Sequence, residues 1–292
     1  MNDTSRRVLL VGNFLSRHRG TQAICETLAV KLRSAQWIVY STSKHEHRLQ
    51  RMLDMFQTTW RFRESYNVVI IDVFSGPSFM WAETVSWLLR RLGKPYLLVL
   101  RGGNLPLFAQ RWPGRVRRFL RAANAVTTPS SYIQSAFASV RPDILLLRNA
   151  VDLGVYPFQH RQQARPRLAW LRAFHTIYAP SLAAEVVYLL ADEFPDIELT
   201  MFGPDKDDGS LRSMQARIQQ TGIVHRIHIP GAIPKADVPT RLAPFDIFLN
   251  TTTAESFGVA VVEAAALGMC IVTTDVGELP HIWTHEHDAL LV

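Results

Sequence analysis

Short apolar, β-branched runs recur along the chain at Val8–Val11, Trp37–Tyr40, Val68–Ile71, Tyr96–Leu100, Ala125–Thr127 and Ile144–Leu147. Helix-length amphipathic stretches separate them, and strands alternating with helices predict a doubly wound parallel sheet. The rhythm restarts with Leu168–Leu171, Ile197–Phe202, Arg226–Ile229, Ile247–Asn250 and Cys270–Thr274. The pattern therefore predicts two α/β domains of Rossmann-like type, which suits a chain of 292 residues. Their junction is expected in NAVDLGVYPFQHRQQARPR (149–167), where turn residues, prolines and polar side chains break the rhythm. A boundary at Phe158 gives domains 1–158 and 159–292.

Composition narrows the class. With 48% hydrophobic and 20% charged residues the chain reads as a soluble globular protein. It has no apolar run of about eighteen residues, the length a membrane span needs. The apolar stretch after Arg6 and Arg7 is short and runs into a glycine turn, so it reads as a first strand rather than a signal peptide. Cys25 and Cys270 lie far apart in apolar surroundings, which predicts reduced, buried thiols and a cytoplasmic protein.

Charge is divided unevenly. Residues 1–158 carry 22 Lys and Arg against 9 Asp and Glu, whereas residues 159–292 carry 10 against 16. A basic first half suggests an anionic partner: nucleic acid, a phospholipid surface or a phosphorylated substrate. The densest basic segment, RWPGRVRRFLRAA (111–123), reads as a short helix with Val116, Phe119 and Leu120 packed inward. Its arginines and Trp112 read either as an ordinary solvated helix face, the reading slightly favoured, or as a patch that touches anionic lipid headgroups.

Candidate chemistry concentrates in AESFGVAVVEAAALG (254–268), which holds Glu255 and Glu263 in an otherwise apolar, small-residue run. A buried carboxylate costs free energy unless something pairs with it. The preceding DIFLN reads as a strand, TTTAES as a loop, and Gly258–Leu267 as a helix stopped by Gly268. Ligands of open α/β sheets bind at the carboxyl ends of strands, where a helix N-terminus offers free N–H groups to an anion. Ser256, Phe257 and Gly258 are thus the expected phosphate seat, and Glu263 is placed to accept from the two hydroxyls of a ribose.

ESFGVAVVE resembles the Glu-x7-Glu motif of the family 4 glycosyltransferases, retaining enzymes of the GT-B fold. PSSYIQSAF (129–137), RNAVDLGVYPF (148–158), LAWLRAFHTIYAPSLAAEVVYLL (168–190), TMFGPD and VGELPHIW resemble further segments of that family. The resemblance implies two Rossmann-like domains facing each other across a cleft, with the acceptor on the N-terminal side and the donor on the C-terminal side. It implies that Glu263 holds the donor ribose, that Glu255 contacts the donor sugar, and that the backbone of Ser256, Phe257 and Gly258 holds the diphosphate. Arg172 is implied as the cation that neutralises it. The family's lysine partner falls near Tyr178, so one cationic contact is expected to be missing. Gly12 and Gly20 in GNFLSRHRGTQA look like the glycine loop that approaches the donor. Arg101, Gly102, Gly103 and Asn104 in LRGGNLP stand where the family has its acceptor-side loop, with Arg101 in place of a common His.

The expected activity is transfer of a sugar from a nucleotide-diphosphate sugar to a saccharide, phosphorylated or lipid-linked acceptor. No metal or other cofactor is expected: DKDDG (205–209) reads as a solvated turn, and the histidines at 45, 47, 285 and 287 as surface groups. No G-x-G-x-x-G appears, so a dehydrogenase fingerprint is absent. A sugar-nucleotide epimerase of similar fold and a nucleic-acid binder are the competing classes. The second is disfavoured by the acidic second half and the lack of an aromatic stacking platform. The chain stops at HEHDALLV, where the family usually continues through further helices, and the resemblance accordingly predicts an uncovered apolar face prone to self-association.

Overall fold

Strands buried on both faces build a core on each side of two separate sheets. The computed structural model describes residues 6–16 and 23–292, and the chain divides into two compact units after Asn149. Gly20 lies outside the described residues. The first unit holds β1 (Arg7–Val11), β2 (Ile38–Thr42), β3 (Val68–Val73), β4 (Tyr96–Leu100), β5 (Ala125–Thr128) and β6 (Leu145–Leu146). They form one parallel sheet in the order β2-β1-β3-β4-β5-β6. The second unit holds β7 (Arg167–Leu171), β8 (Glu198–Phe202), β9 (Ile227–Gly231), β10 (Ile247–Asn250), β11 (Cys270–Thr273) and β12 (Leu290–Leu291). Its sheet is also parallel, in the order β9-β8-β7-β10-β11-β12.

In β1, Leu9 and Val11 enter a core shared with Ile71, Phe79, Leu98 and Phe119, while Val8 and Leu10 pack on the other face with Ala29. The same division recurs in β7. Leu168 and Trp170 meet Ala183, Val187 and Met214 from the helices Pro180–Leu190 and Ser210–Thr221. Ala169 and Leu171 face Val261 and Ala264 of the helix Val259–Ala266. Both faces of each sheet are covered, which is why its strands read as continuous apolar runs. The two-residue β12 had no such run to announce it.

Strand order locates the sites. In the first sheet the chain reverses direction between β1 and β3, and in the second between β7 and β10. At such a switch point the crossovers leave toward opposite sides and open a crevice beyond the carboxyl ends of the two central strands.

The unit boundary falls at the first residue of the expected junction, 149–167. It lies at Asn149, ahead of Phe158, because Tyr156 is buried in the second core and the Gln159 N–H donates to the Leu267 carbonyl at 3.2 Å. The polar run HRQQARPR is not a free linker. The Arg161 side chain is 4% exposed and donates to the carbonyls of Ala243 (3.1 Å), Phe245 (2.7 Å) and Leu267 (2.6 Å). It also meets the Asp246 carboxylate at 3.2 Å, with Arg165 on the other oxygen at 2.7 Å. Burial works to raise the Asp246 pKa, but the hydrogen bonds and charge of Arg165 together with the charge of Arg161 outweigh it and hold the carboxyl below its ordinary value.

Other expectations resolve locally. Cys25 is buried but Cys270 is exposed, since it opens β11 at the strand's outer end. The acidic turn after β8 fastens a neighbouring loop: Asp208 accepts from the Thr176 N–H and hydroxyl, both at 2.7 Å, and from the Ser210 N–H at 3.1 Å. Among the described residues no group of three or more His, Cys, Asp or Glu side chains is placed to hold a metal ion. Nor is any described helix long and apolar enough to cross a membrane. The basic segment forms the helix Pro113–Arg121 with Val116, Phe119 and Leu120 buried, and Arg115 reaches both carboxylate oxygens of Glu83.

Removing one member of a buried charge network strands the others, so Arg161→Met is expected to destabilise the second unit by about 3 kcal/mol. Urea unfolding followed by circular dichroism checks it. A change below about 1 kcal/mol would show that the segment 159–166 is only loosely attached.

Candidate functional site

At the β7/β10 switch point, two strand ends deliver the polar groups. Arg172 follows β7 directly, and Asn250 closes β10. The Asn250 Oδ1 accepts from the Arg172 Nε at 3.0 Å, and its Nδ2 donates to the Thr273 hydroxyl at 2.8 Å. Asn250 is therefore held from β11 while it aims the guanidinium. The Arg172 Nη2 meets the Glu255 Oε2, and the ring of Tyr178 lies beneath the guanidinium at 5.4 Å. Tyr178, at the position expected to lack a lysine, thus orients the arginine through its face. Burial pushes the Tyr178 hydroxyl pKa upward, so the ring stays neutral.

The loop that carries Glu255 is fixed from two sides. The Thr251 hydroxyl accepts from the Trp170 Nε1 at 3.1 Å and donates to the Tyr178 carbonyl at 2.8 Å, while the Thr253 N–H donates to the Ile177 carbonyl at 2.8 Å. On the other side, Gly277 comes so close that an added Cβ would sit 2.0 Å from the Glu255 carbonyl oxygen. Its φ of +59° is itself a conformation that favours glycine.

Ser256, Phe257 and Gly258 stand where a phosphate seat was expected, at the start of the helix Val259–Ala266. Gly258 is the N-cap, at φ 82°, and no side-chain oxygen caps the helix. The Ser256 and Phe257 N–H groups donate to the Glu255 Oε1, at 2.9 and 3.3 Å. Glu255 therefore bridges the arginine and the backbone donors, linking two groups that would both attract an anion.

Glu263 lies within that helix and is 3% exposed. Its Oε1 pairs with the Nζ of Lys235, from the 3-10 turn Lys235–Asp237 that precedes the helix Val238–Leu242. The sequence reading missed this lysine because nothing in IPKADVP marks it. Its role follows from the crossover that brings the β9 loop beside the helix after β10.

In the first unit, the β1/β3 switch point collects a second cluster. The Arg101 Nε donates to the Asp72 Oδ1 at 2.5 Å, and its Nη1 to the Asn149 Oδ1 at 3.3 Å. A Cβ on Gly12 would stand 3.0 Å from the Cys25 sulfur and 3.1 Å from the Asp72 Oδ2, so the glycine admits both side chains. Burial raises the Asp72 pKa and Arg101 opposes it, while burial also drives the Cys25 thiol well upward, leaving it protonated. Gly102 packs its α-carbon against the backbone of Phe74 and Ser75, Gly103 is half-buried, and Asn104 is the N-cap of the helix Leu105–Arg111 without a capping bond from its side chain. Asp72 and Asn149, which hold Arg101, were not singled out from the sequence. An Asp at the end of an apolar strand was the available signal for the first.

Two positive-φ glycines separate contact from conformation. Gly209→Ala, at φ +86° with open space around it, should cost about 1 kcal/mol. Gly277→Ala should cost clearly more, by displacing the Glu255 loop. Urea unfolding of the two variants side by side checks this, and equal losses would show that the Gly277 approach does not matter.

Residues 168–292 match the profile of the family "Glycosyl transferases group 1". A human phosphatidylinositol N-acetylglucosaminyltransferase subunit is 31% identical over 50% of this chain and 30% of its own length. A D-inositol 3-phosphate glycosyltransferase of Pseudarthrobacter chlorophenolicus is 26% identical over 74% of this chain and 54% of its own. The chain thus spans about a third to about half the length of these two relatives. Among solved structures, sucrose-phosphate synthase from Thermosynechococcus elongatus superposes with a TM-score of 0.79 at 12% identity, covering 99% of this chain and 86% of that one. Anabaena HepE, crystallised with UDP and glucose, gives 0.75 at 15%, covering 98% and 85%. The fold is that of the GT-B glycosyltransferases, and the second unit, over residues 168–292, is similar to the glycosyl transferases of group 1.

Proposed function

We propose that the chain is a retaining glycosyltransferase that takes a sugar from a nucleotide-diphosphate donor held by the second unit. The observation that carries this reading is the convergence, at one switch point, of Arg172, an uncapped helix N-terminus and the buried carboxylate of Glu263. Cation and helix end suit a diphosphate, and the carboxylate suits the two hydroxyls of a ribose. UDP and UDP-glucose bound to the structural neighbour HepE support the same assignment.

Cleavage of the donor leaves charge on the departing diphosphate. Arg172 and the N–H groups of Ser256, Phe257 and Gly258 are fixed in advance, so they stabilise that charge without reorganising. Glu255 accepts from two of those N–H groups and from Arg172. An entering phosphate takes over these donors and frees Glu255 toward the sugar. Retention is assigned to front-face attack, in which a leaving phosphate oxygen takes the acceptor's proton.

The acceptor is proposed to bear phosphate or a lipid, as the names of the inositol-phosphate and phosphatidylinositol relatives suggest. In the basic first unit the exposed Trp60, Trp87 and Trp112 each lie under an arginine, with Arg63 at 4.7 Å, Arg91 at 5.3 Å and Arg111 at 5.9 Å from the ring. An indole with a cation above it suits the headgroup region of an anionic bilayer.

A thermal-shift screen with UDP-, GDP- and ADP-sugars tests the donor reading, because a ligand bound by the native state raises Tm. At least one should do so, and none doing so overturns the reading. Glu263→Ala should weaken the active nucleotide by about 2 to 3 kcal/mol. Glu255→Gln should chiefly lower turnover. For the acceptor side, the chain should sediment with phosphatidylserine-containing vesicles and not with phosphatidylcholine alone. The triple change of Trp60, Trp87 and Trp112 to Ala should abolish this, and unchanged binding would remove these residues from the surface.

A further inference from the structure

We propose that Lys235 is a donor-contacting residue that, together with Glu263, grips one ribose hydroxyl from both sides and sets the site's preference for ribonucleotides over deoxyribonucleotides. The inference rests on the donor reading above. It begins from an asymmetry in the pair. Glu263 is buried to 3% exposure, whereas the Lys235 side chain is 38% exposed, so the ammonium covers the carboxylate from the solvent side. A ligand that reaches Glu263 from solvent therefore meets Lys235 as well.

A hydroxyl suits this arrangement because it donates one hydrogen bond and accepts others. Its proton goes to a carboxylate oxygen of Glu263 while its lone pair receives an ammonium hydrogen from Lys235, and the ion pair need not separate. A phosphate would be held by the lysine but repelled by the glutamate, so the pair points to the neutral diol rather than to the diphosphate. Burial pushes the Lys235 ammonium down to about 8, which still leaves the cation charged at neutrality. Glu263 is the ionisable group that meets it from the helix Val259–Ala266, and Asp237 stands on its own turn.

The lysine is held ready. Ile233 before it and Val238 and Leu242 after it are buried in the second core, fixing the turn at both ends. A stabilising role alone would not need this chemistry, since buried ion pairs are commonly replaceable by apolar side chains of similar volume without loss. A site built to bond a hydroxyl, in contrast, discriminates against the analogue that lacks it, because its polar groups are left facing no partner.

Calorimetric titration of the intact chain with UDP, 2′-deoxy-UDP and 3′-deoxy-UDP tests the proposal, with the ADP and GDP sets run beside it. The unaltered chain should bind the ribonucleotide about tenfold or more tightly than either deoxy form. Lys235→Met should weaken the ribonucleotide about fivefold or more. It should leave the affinity for one of the two deoxy forms unchanged, so that one ratio collapses and the other does not. Lys235→Arg should keep most of the discrimination. Lys235→Gln carries the same comparison should the methionine variant not fold.

Equal weakening of all three nucleotides would reduce Lys235 to a prop for the loop and overturn the proposal. Tighter binding by Lys235→Met would also overturn it, by showing that the ammonium merely blocks Glu263. If the unaltered chain binds no nucleoside diphosphate of any set, the donor reading itself falls, which separates that failure from the failure of the lysine's role.

Discussion

A parallel sheet covered on both faces has no room along its strands for unpaired charge, so polar chemistry is forced to the strand ends. That constraint shapes both units. Within each, the two central strands finish beside one another where the chain reverses direction. There an arginine, a carboxylate and an asparagine are assembled from segments far apart in sequence. The rest of the architecture, including the helices that seal the faces and the threonines that fasten the loop after β10, keeps these ends in place.

The two clusters are built alike but tuned differently. In the first unit the arginine leans on a deeply buried aspartate beside a glycine and a protonated thiol, an arrangement closed on itself. In the second, the arginine is shared between an asparagine and a glutamate that also holds backbone donors at a helix start. Under the proposed donor reading, an incoming phosphate would take the donors that Glu255 holds and Glu255 would turn to the sugar. Exchange of one set of charge-assisted bonds for another keeps the desolvation cost of binding an anion low.

Much of this was legible in the sequence because burial on both faces writes itself as apolar runs. Eleven of the strands, the helix after β10 and the placement of Glu255 and Glu263 follow from runs, glycines and caps that act locally, whereas Arg172 was marked only by the family resemblance. What escaped detection depended on tertiary approach. Lys235 sits in an ordinary polar turn, and Asn149 at an unremarkable loop. Arg161 lies in a stretch whose composition is that of a linker, yet its guanidinium is enclosed by carbonyls from two loops. Long-range hydrogen bonding of this kind leaves no periodicity behind. The placement of Cys270 erred for a related reason: an apolar neighbourhood in sequence does not distinguish the buried middle of a strand from its exposed first residue.

The enclosure of Arg161 also separates two meanings of the word domain. The match to the glycosyl transferase group 1 profile begins at Leu168, with β7. The cooperative unit begins nearly twenty residues earlier, at Ala150, since Tyr156 fills its core and Arg161 neutralises Asp246 beneath β10. A fragment cut where that profile match starts would keep every proposed donor-binding residue of the second unit. It would nonetheless expose an apolar socket and leave three carbonyls without their donor. Evolutionary boundaries mark what has been retained in common, whereas physical boundaries mark where the last buried charge finds its partner.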